Sequence, residues 1–118
     1  MDRREFENVV RETIEQLPEQ FHDALENIAI VVREEPDLRD RDPSDRDLDG
    51  GELLGLYYGT PLTERGSAHT GFPDRIEIYR GPILRTCNTT GEIVAEIRDT
   101  VIHELGHHMG LSDDNMPY

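Results

Sequence analysis

The residues of this chain best suited to chemistry lie near its end, in the run HELGHHMGLSDD from His103 to Asp114. On a helix, successive residues turn by about 100°, so His103 and His107 stand one turn apart and about 40° apart around the axis. Both imidazoles can then reach one ion. Glu104 projects about 60° away from His107. That direction is too far round for an obvious third ligand and suits a carboxylate that takes a proton from a water on the metal. The chemistry expected of such a pattern is zinc-dependent hydrolysis, with His103 and His107 as metal ligands and Glu104 as the general base.

A catalytic zinc takes three protein ligands and keeps one position open. Asp113 lies beyond Gly110, where the chain can fold back under the helix end and offer a carboxylate to the same ion. It is preferred to Asp114, with the choice resting on turn geometry that spacing does not reveal. The other histidines invite a plainer reading. His108 falls inside the apolar arc of the helix and is expected to be a packed, hydrogen-bonded residue. His22 and His69 have no partner at useful spacing and are expected at the surface, although the loop carrying His69 could line the cleft.

The helix that must position these groups announces its start. Thr89 can accept from the amide of Glu92 while Glu92 reaches back to the Thr89 amide, a capping box. The helix should run to about Met109 and stop at Gly110, which can supply a left-handed residue. Ile93, Val94, Ile97, Val101 and Leu105 form its core-facing side, and the two metal histidines lie at the edge of that side, beside a cleft between helix and sheet.

Upstream, Phe6, Val9, Val10, Ile14 and Leu17 recur at helical spacing and predict an amphipathic helix over Arg3 to Leu17. Pro18 can open a second, short helix through Phe21, Ala24 and Leu25. Three strands follow: Ile28 to Val32, read as buried on both faces, then Leu53 to Tyr58, and Arg75 to Arg80, where Ile76 and Ile78 alternate with Glu77 and Tyr79. The stretch 34–51 is an acidic segment whose acids, arginines and prolines cannot pack a core, and is expected to be a solvated, flexible loop. Within it Asp45, Asp47, Asp49 and Gly50 imitate a calcium-binding loop, but Leu56 stands where the bidentate Glu belongs, which argues against calcium. Gly59 to Asp74 reads as a second loop.

The chain has 118 residues and a formal charge of −14, and all its basic residues are Arg. That length fits one domain, 1–118. So acidic a surface argues against nucleic acid and anionic membranes as partners and would attract basic segments. Cys87 is the only cysteine, so no internal disulfide can form; a half-buried thiol is expected. With no apolar stretch at its start and none long enough to span a bilayer, the chain is expected in the cytoplasm.

HELGHHMGLSD resembles the zinc signature of the zincins, and its HExxHxxGxxD form resembles the extended metzincin signature with Asp in place of the third His. With LLGLYYGTPLTERG and PDRIEIYRGP, the stretch from Leu53 to Asp113 is similar to the small bacterial zincin-like metallopeptidase family, the minimal zincins. That resemblance implies an α+β fold, with a small three-stranded sheet packed on helices and the HExxH motif on the C-terminal helix. It implies metal ligands at His103, His107 and Asp113. Metzincins also place a Met-containing turn under the metal; Met116 is expected to pack on the helix end instead.

The activity expected is hydrolysis of a peptide or unfolded protein segment, which could add to a sheet edge, with the Ile76 to Tyr79 strand as the candidate edge. Tyr57, Tyr58, Tyr79, His69 and Tyr118 are conceivable second donors to the oxyanion. Two rival readings remain: a metal-binding interaction or regulatory domain without peptidase activity, and a metal-dependent endoribonuclease. The acidic surface weighs against the second.

Overall fold

A computed structural model of the protein describes residues 1–37, 53–59 and 74–109. The first helix, α1 (Arg3–Glu15), begins where Asp2 accepts a hydrogen bond from the Glu5 amide at 2.8 Å. Phe6 and Val10, one turn apart, are buried. The helix closes before Leu17, the last residue of the apolar stripe, yet Leu17 is itself buried, so the stripe outlasts the hydrogen-bonded helix. Pro18 then caps α2 (Glu19–Leu25) from outside its first turn.

Three strands follow, β1 (Ile28–Arg33), β2 (Gly55–Tyr58) and β3 (Asp74–Tyr79), in the order β1-β3-β2. β1 runs parallel to β3 and β2 antiparallel to it. The central strand is therefore β3, which corrects its expected place at an edge. β1 and β2 are the outer strands instead, and with Ala29 and Arg33 exposed β1 is not buried on both faces. Its apolar run reflects one buried face and a strand rich in β-branched residues.

A short helix that the sequence pattern did not predict, α3 (Arg80–Thr86), leaves β3 directly. A Gly-Pro pair commonly marks a turn, but proline is tolerated in a first helical turn, where its missing N–H has no partner to lose. Ile83 anchors the helix in the core. Arg80 and Arg85 of α3, with Arg3, pair with Glu34 and Glu35, so the acidic stretch begins as ion-paired chain rather than as free loop.

The long helix α4 (Thr90–His108) forms the other layer. Ile93, Ile97, Val101 and Leu105, spaced by four, are buried in one cluster with Phe6 and Val10 of α1, Ile76 and Ile78 of β3, and Ile83. Each such side chain stabilises the fold by about 1.5–3 kcal/mol. Val94, expected on this face, is 36% exposed. The α+β arrangement, a three-stranded sheet packed on helices, is as the sequence led one to expect.

On its other side the sheet carries a second cluster, Leu53, Leu56 and Tyr79, with Tyr58 packed against it. Glu77 is buried among these groups. It accepts from Arg33 Nε at 2.8 Å, from Arg75 Nε at 3.0 Å and from the Tyr79 hydroxyl at 3.0 Å. Burial alone would raise its pKa, but these three hydrogen bonds and the Arg33 charge outweigh it and hold the carboxyl below the usual carboxylate range. Arg75 also stacks over the Tyr58 ring, 4.0 Å from its centroid.

α4 approaches β2 closely because residue 55 has no side chain. A Cβ on Gly55 would lie 2.5 Å from Thr100 Cγ2 and 2.9 Å from the Glu77 carbonyl oxygen, the latter being backbone that cannot turn aside. Gly55→Ala should therefore destabilise the protein by roughly 1–3 kcal/mol, the usual range for overpacking, read from urea melts; an unchanged midpoint would show that helix and strand are not in this contact.

A carboxylate whose folded pKa is depressed contributes stability above its unfolded pKa and loses it as pH falls through the folded value. The stability contributed by Glu77 should accordingly be present above the ordinary value of 4.5 and fade below it. Denaturation midpoints measured from neutral pH into acid should fall less steeply for Glu77→Gln than for the parent in that window.

Candidate metal centre

The helix that bears the motif starts as its residues dictate, with one difference in detail. Thr89 Oγ1 accepts from the Glu92 amide at 3.1 Å, while the Glu92 carboxylate accepts from the amide of Asn88, at 3.2 Å, and not from that of Thr89. From this cap the helical phase runs unbroken into the motif. It turns His103 and Glu104 inward, both buried, and leaves His107 half-buried.

His103, Glu104 and His107 come together. A ligand atom from each lies within 4.8 Å of the others. The two imidazole rings stand edge to face, their centroids 4.8 Å apart and their planes at 76°. Ligand nitrogens sharing a tetrahedral zinc, each at about 2.0–2.1 Å from it, are roughly 3.3 Å apart, so modest side-chain rotation suffices to meet one ion.

Glu104 Oε1 accepts from the backbone N–H of Tyr57 at 2.9 Å and lies 3.0 Å from His107 Nδ1. A carboxylate only accepts, so that contact puts the proton on Nδ1 and the lone pair on Nε2, the tautomer a metal ligand needs. Among the described residues, no hydrogen bond engages Glu104 Oε2. Two converging imidazoles, one of them oriented by the adjacent carboxylate, therefore fit a zinc or similar divalent ion.

Asp113 and Asp114 lie outside the described residues, as do His69, Gly110, Met116, Tyr118 and the calcium-like Asp45, Asp47 and Asp49. His108 is the packed, hydrogen-bonded residue it was expected to be. Its Nδ1 lies 2.7 Å from Asp74 Oδ2, and the Tyr57 hydroxyl donates to the same oxygen at 2.6 Å. His22 sits at the surface, its Nε2 2.8 Å from the Ile14 carbonyl. Tyr58 and Tyr79 belong to the cluster on the far face of the sheet, which separates them from the histidines.

Asp74 was not singled out from sequence, though a signal existed. Strand residues alternate between faces, so Asp74, Ile76 and Ile78 share one face, and an acid in phase with core isoleucines must meet specific donors there. Tyr57 figured only as one of several tyrosines; its main-chain contact with Glu104 carries no sequence signature.

No described helix is long and apolar enough to cross a membrane. No curated protein matches the chain. A solved structure, that of a conserved hypothetical protein from Thermus thermophilus, is similar over 92% of this chain and 94% of its own, with 28% sequence identity and a TM-score of 0.62. Residues 25–118 match the family described as zincin-like metallopeptidase. The match runs through β1, β2, β3 and the whole of the helix that brings His103, Glu104 and His107 together, and on that ground the chain belongs to the zincin-like metallopeptidase family.

Proposed function

We propose that the protein is a zinc-dependent peptidase in which His103, His107 and Asp113 hold one zinc ion per chain and Glu104 is the general base. The observation that carries this reading is the convergence of His103 and His107 beside a buried carboxylate that a main-chain amide holds in place. Zinc, when bound, acidifies a water molecule and polarises a carbonyl. Glu104 Oε2 then accepts a proton from the attacking water and delivers it to the leaving amine. Oε1 stays bonded to Tyr57, so the carboxylate does not have to reorient between the two transfers. His107, held through Nδ1 by Glu104, would offer Nε2 to the ion.

The substrate we infer is an extended peptide laid along β2, not along β3, which is central. In the antiparallel pair the Leu54 carbonyl accepts from the Tyr79 amide, facing β3, whereas the Tyr57 amide points the other way, to Glu104. The outward main-chain groups of β2 thus run past the general base. Strand pairing there would present a scissile carbonyl to the site without reading side chains. The formal charge of −14 makes a peptide the better partner than a nucleic acid.

Purified protein should contain about one zinc per chain by metal analysis, and His103→Ala should lose it. Glu104→Gln should keep the zinc while its cleavage of an unstructured protein such as casein falls by about 100-fold or more. Zinc-loaded protein that cleaves no peptide would instead favour an interaction domain, and RNA cleavage dependent on Glu104 would favour the nuclease.

A further inference from the structure

Beside the histidines lies a buried network to which the proposed chemistry gives no task. Asp74 is 2% exposed and His108 6% exposed. Asp74 Oδ2 receives both the Tyr57 hydroxyl and His108 Nδ1, and the Tyr57 and His108 rings pack edge to face with centroids 5.6 Å apart. Just past Tyr58, Gly59 has a φ of +151°; a Cβ there would collide with Asp74 Oδ1 and lie 2.8 Å from the Tyr57 hydroxyl. The turn is thus built to admit the carboxylate and the hydroxyl together. Burying a carboxylate in this way is unfavourable unless its hydrogen bonds hold.

Tyr57 is consequently gripped at both ends. Its side chain reaches Asp74 at the start of β3, and its main-chain N–H reaches Glu104 on α4. With the phenol ring anchored, the strand cannot slide along the helix, and the amide stays aimed at Glu104 Oε1. His108 joins the same oxygen to the last turn of α4, next to His107. One carboxylate therefore sets the position of the strand against the helix at the motif.

We propose that Asp74 is a positioning residue for Glu104, acting through the hydroxyl and the main-chain amide of Tyr57. It touches neither substrate nor metal. Its effect should appear in how firmly the residue 57 amide is held and, given the peptidase reading on which this rests, in turnover more than in substrate binding.

Tyr57→Phe keeps the ring and the amide and removes only the hydroxyl that Asp74 holds; Asp74→Asn keeps shape and an acceptor. Hydrogen exchange followed by NMR should show the residue 57 amide of Tyr57→Phe exchanging about tenfold faster or more, while the Tyr79 amide, which bonds to Leu54 in the sheet, is unchanged. Asp74→Asn, which retains an acceptor for the hydroxyl, should give a smaller change at residue 57. In a peptide assay, kcat of Tyr57→Phe should fall by about 10- to 100-fold, the usual effect of losing a supporting hydrogen bond at a metal site, with KM and zinc content kept. Unchanged exchange at residue 57 in both variants overturns the proposal, whatever the assay gives. So does equal acceleration at residues 57 and 79, because the network would then only stabilise the fold. Absence of peptide cleavage in the parent protein would remove the peptidase reading and leave exchange to decide this one.

Discussion

The hydrogen bond from the Tyr57 amide to Glu104 is the contact on which the rest of the arrangement turns. It joins the sheet to the motif helix with a main-chain donor, and main chain can come this near a helix only where side chains make room. Gly55 makes that room against Thr100. The apolar stripe of α4 sets which way the helix faces, since Ile97, Val101 and Leu105 must all enter the core. Once the stripe is buried, the phase of the helix turns His103 and Glu104 inward and leaves His107 at the margin. Hydrophobic burial supplies the energy, and one glycine and one amide supply the register.

The sheet divides two kinds of buried carboxylate. On the far face Glu77 meets two guanidinium groups and a phenol, so its negative charge is neutralised by fixed positive charge. On the helix face Glu104 meets, among the described residues, an amide and an imidazole. Neither carries a fixed positive charge. A carboxylate held by dipoles alone keeps a field that favours a cation nearby, whereas one paired to arginine has that field cancelled. Both solutions keep the carboxylate hydrogen-bonded; only the second leaves it suited to a metal site.

Much of this was legible in the sequence, and the gaps have physical causes. Local signals held up well: the Thr89 cap, the four-residue spacing of α4 and the HExxH geometry all depend on residues close in sequence, so periodicity finds them. Strand order does not. Nothing in the alternation of Ile76 and Ile78 says whether one neighbour or two will pair with them, so β3 was expected at an edge and lies at the centre. The helix α3 was hidden by Gly81 and Pro82, whose turn-forming habit was overridden when Ile83 gained a place in the core. Asp74 escaped because a single acid carries meaning only once the face of its strand is known.

The two outer strands differ in a way that bears on what the sheet can receive. At β1, the Arg3 guanidinium donates to the Val32 carbonyl, so a charged side chain occupies part of the outer edge, as proteins commonly arrange to deter unwanted pairing. At β2 the outward amide of Tyr57 is instead committed to Glu104. An added strand therefore meets a guanidinium at one edge and a carboxylate flanked by two imidazoles at the other. A side chain at position 55 would point into Thr100 and the Glu77 carbonyl, so only glycine lets the helix come this close. Position 55 is glycine, which brings α4 against the strand and sets the carboxylate beside its outward main chain. Under the peptidase reading proposed above, an extended chain paired with β2 would lie beside that carboxylate.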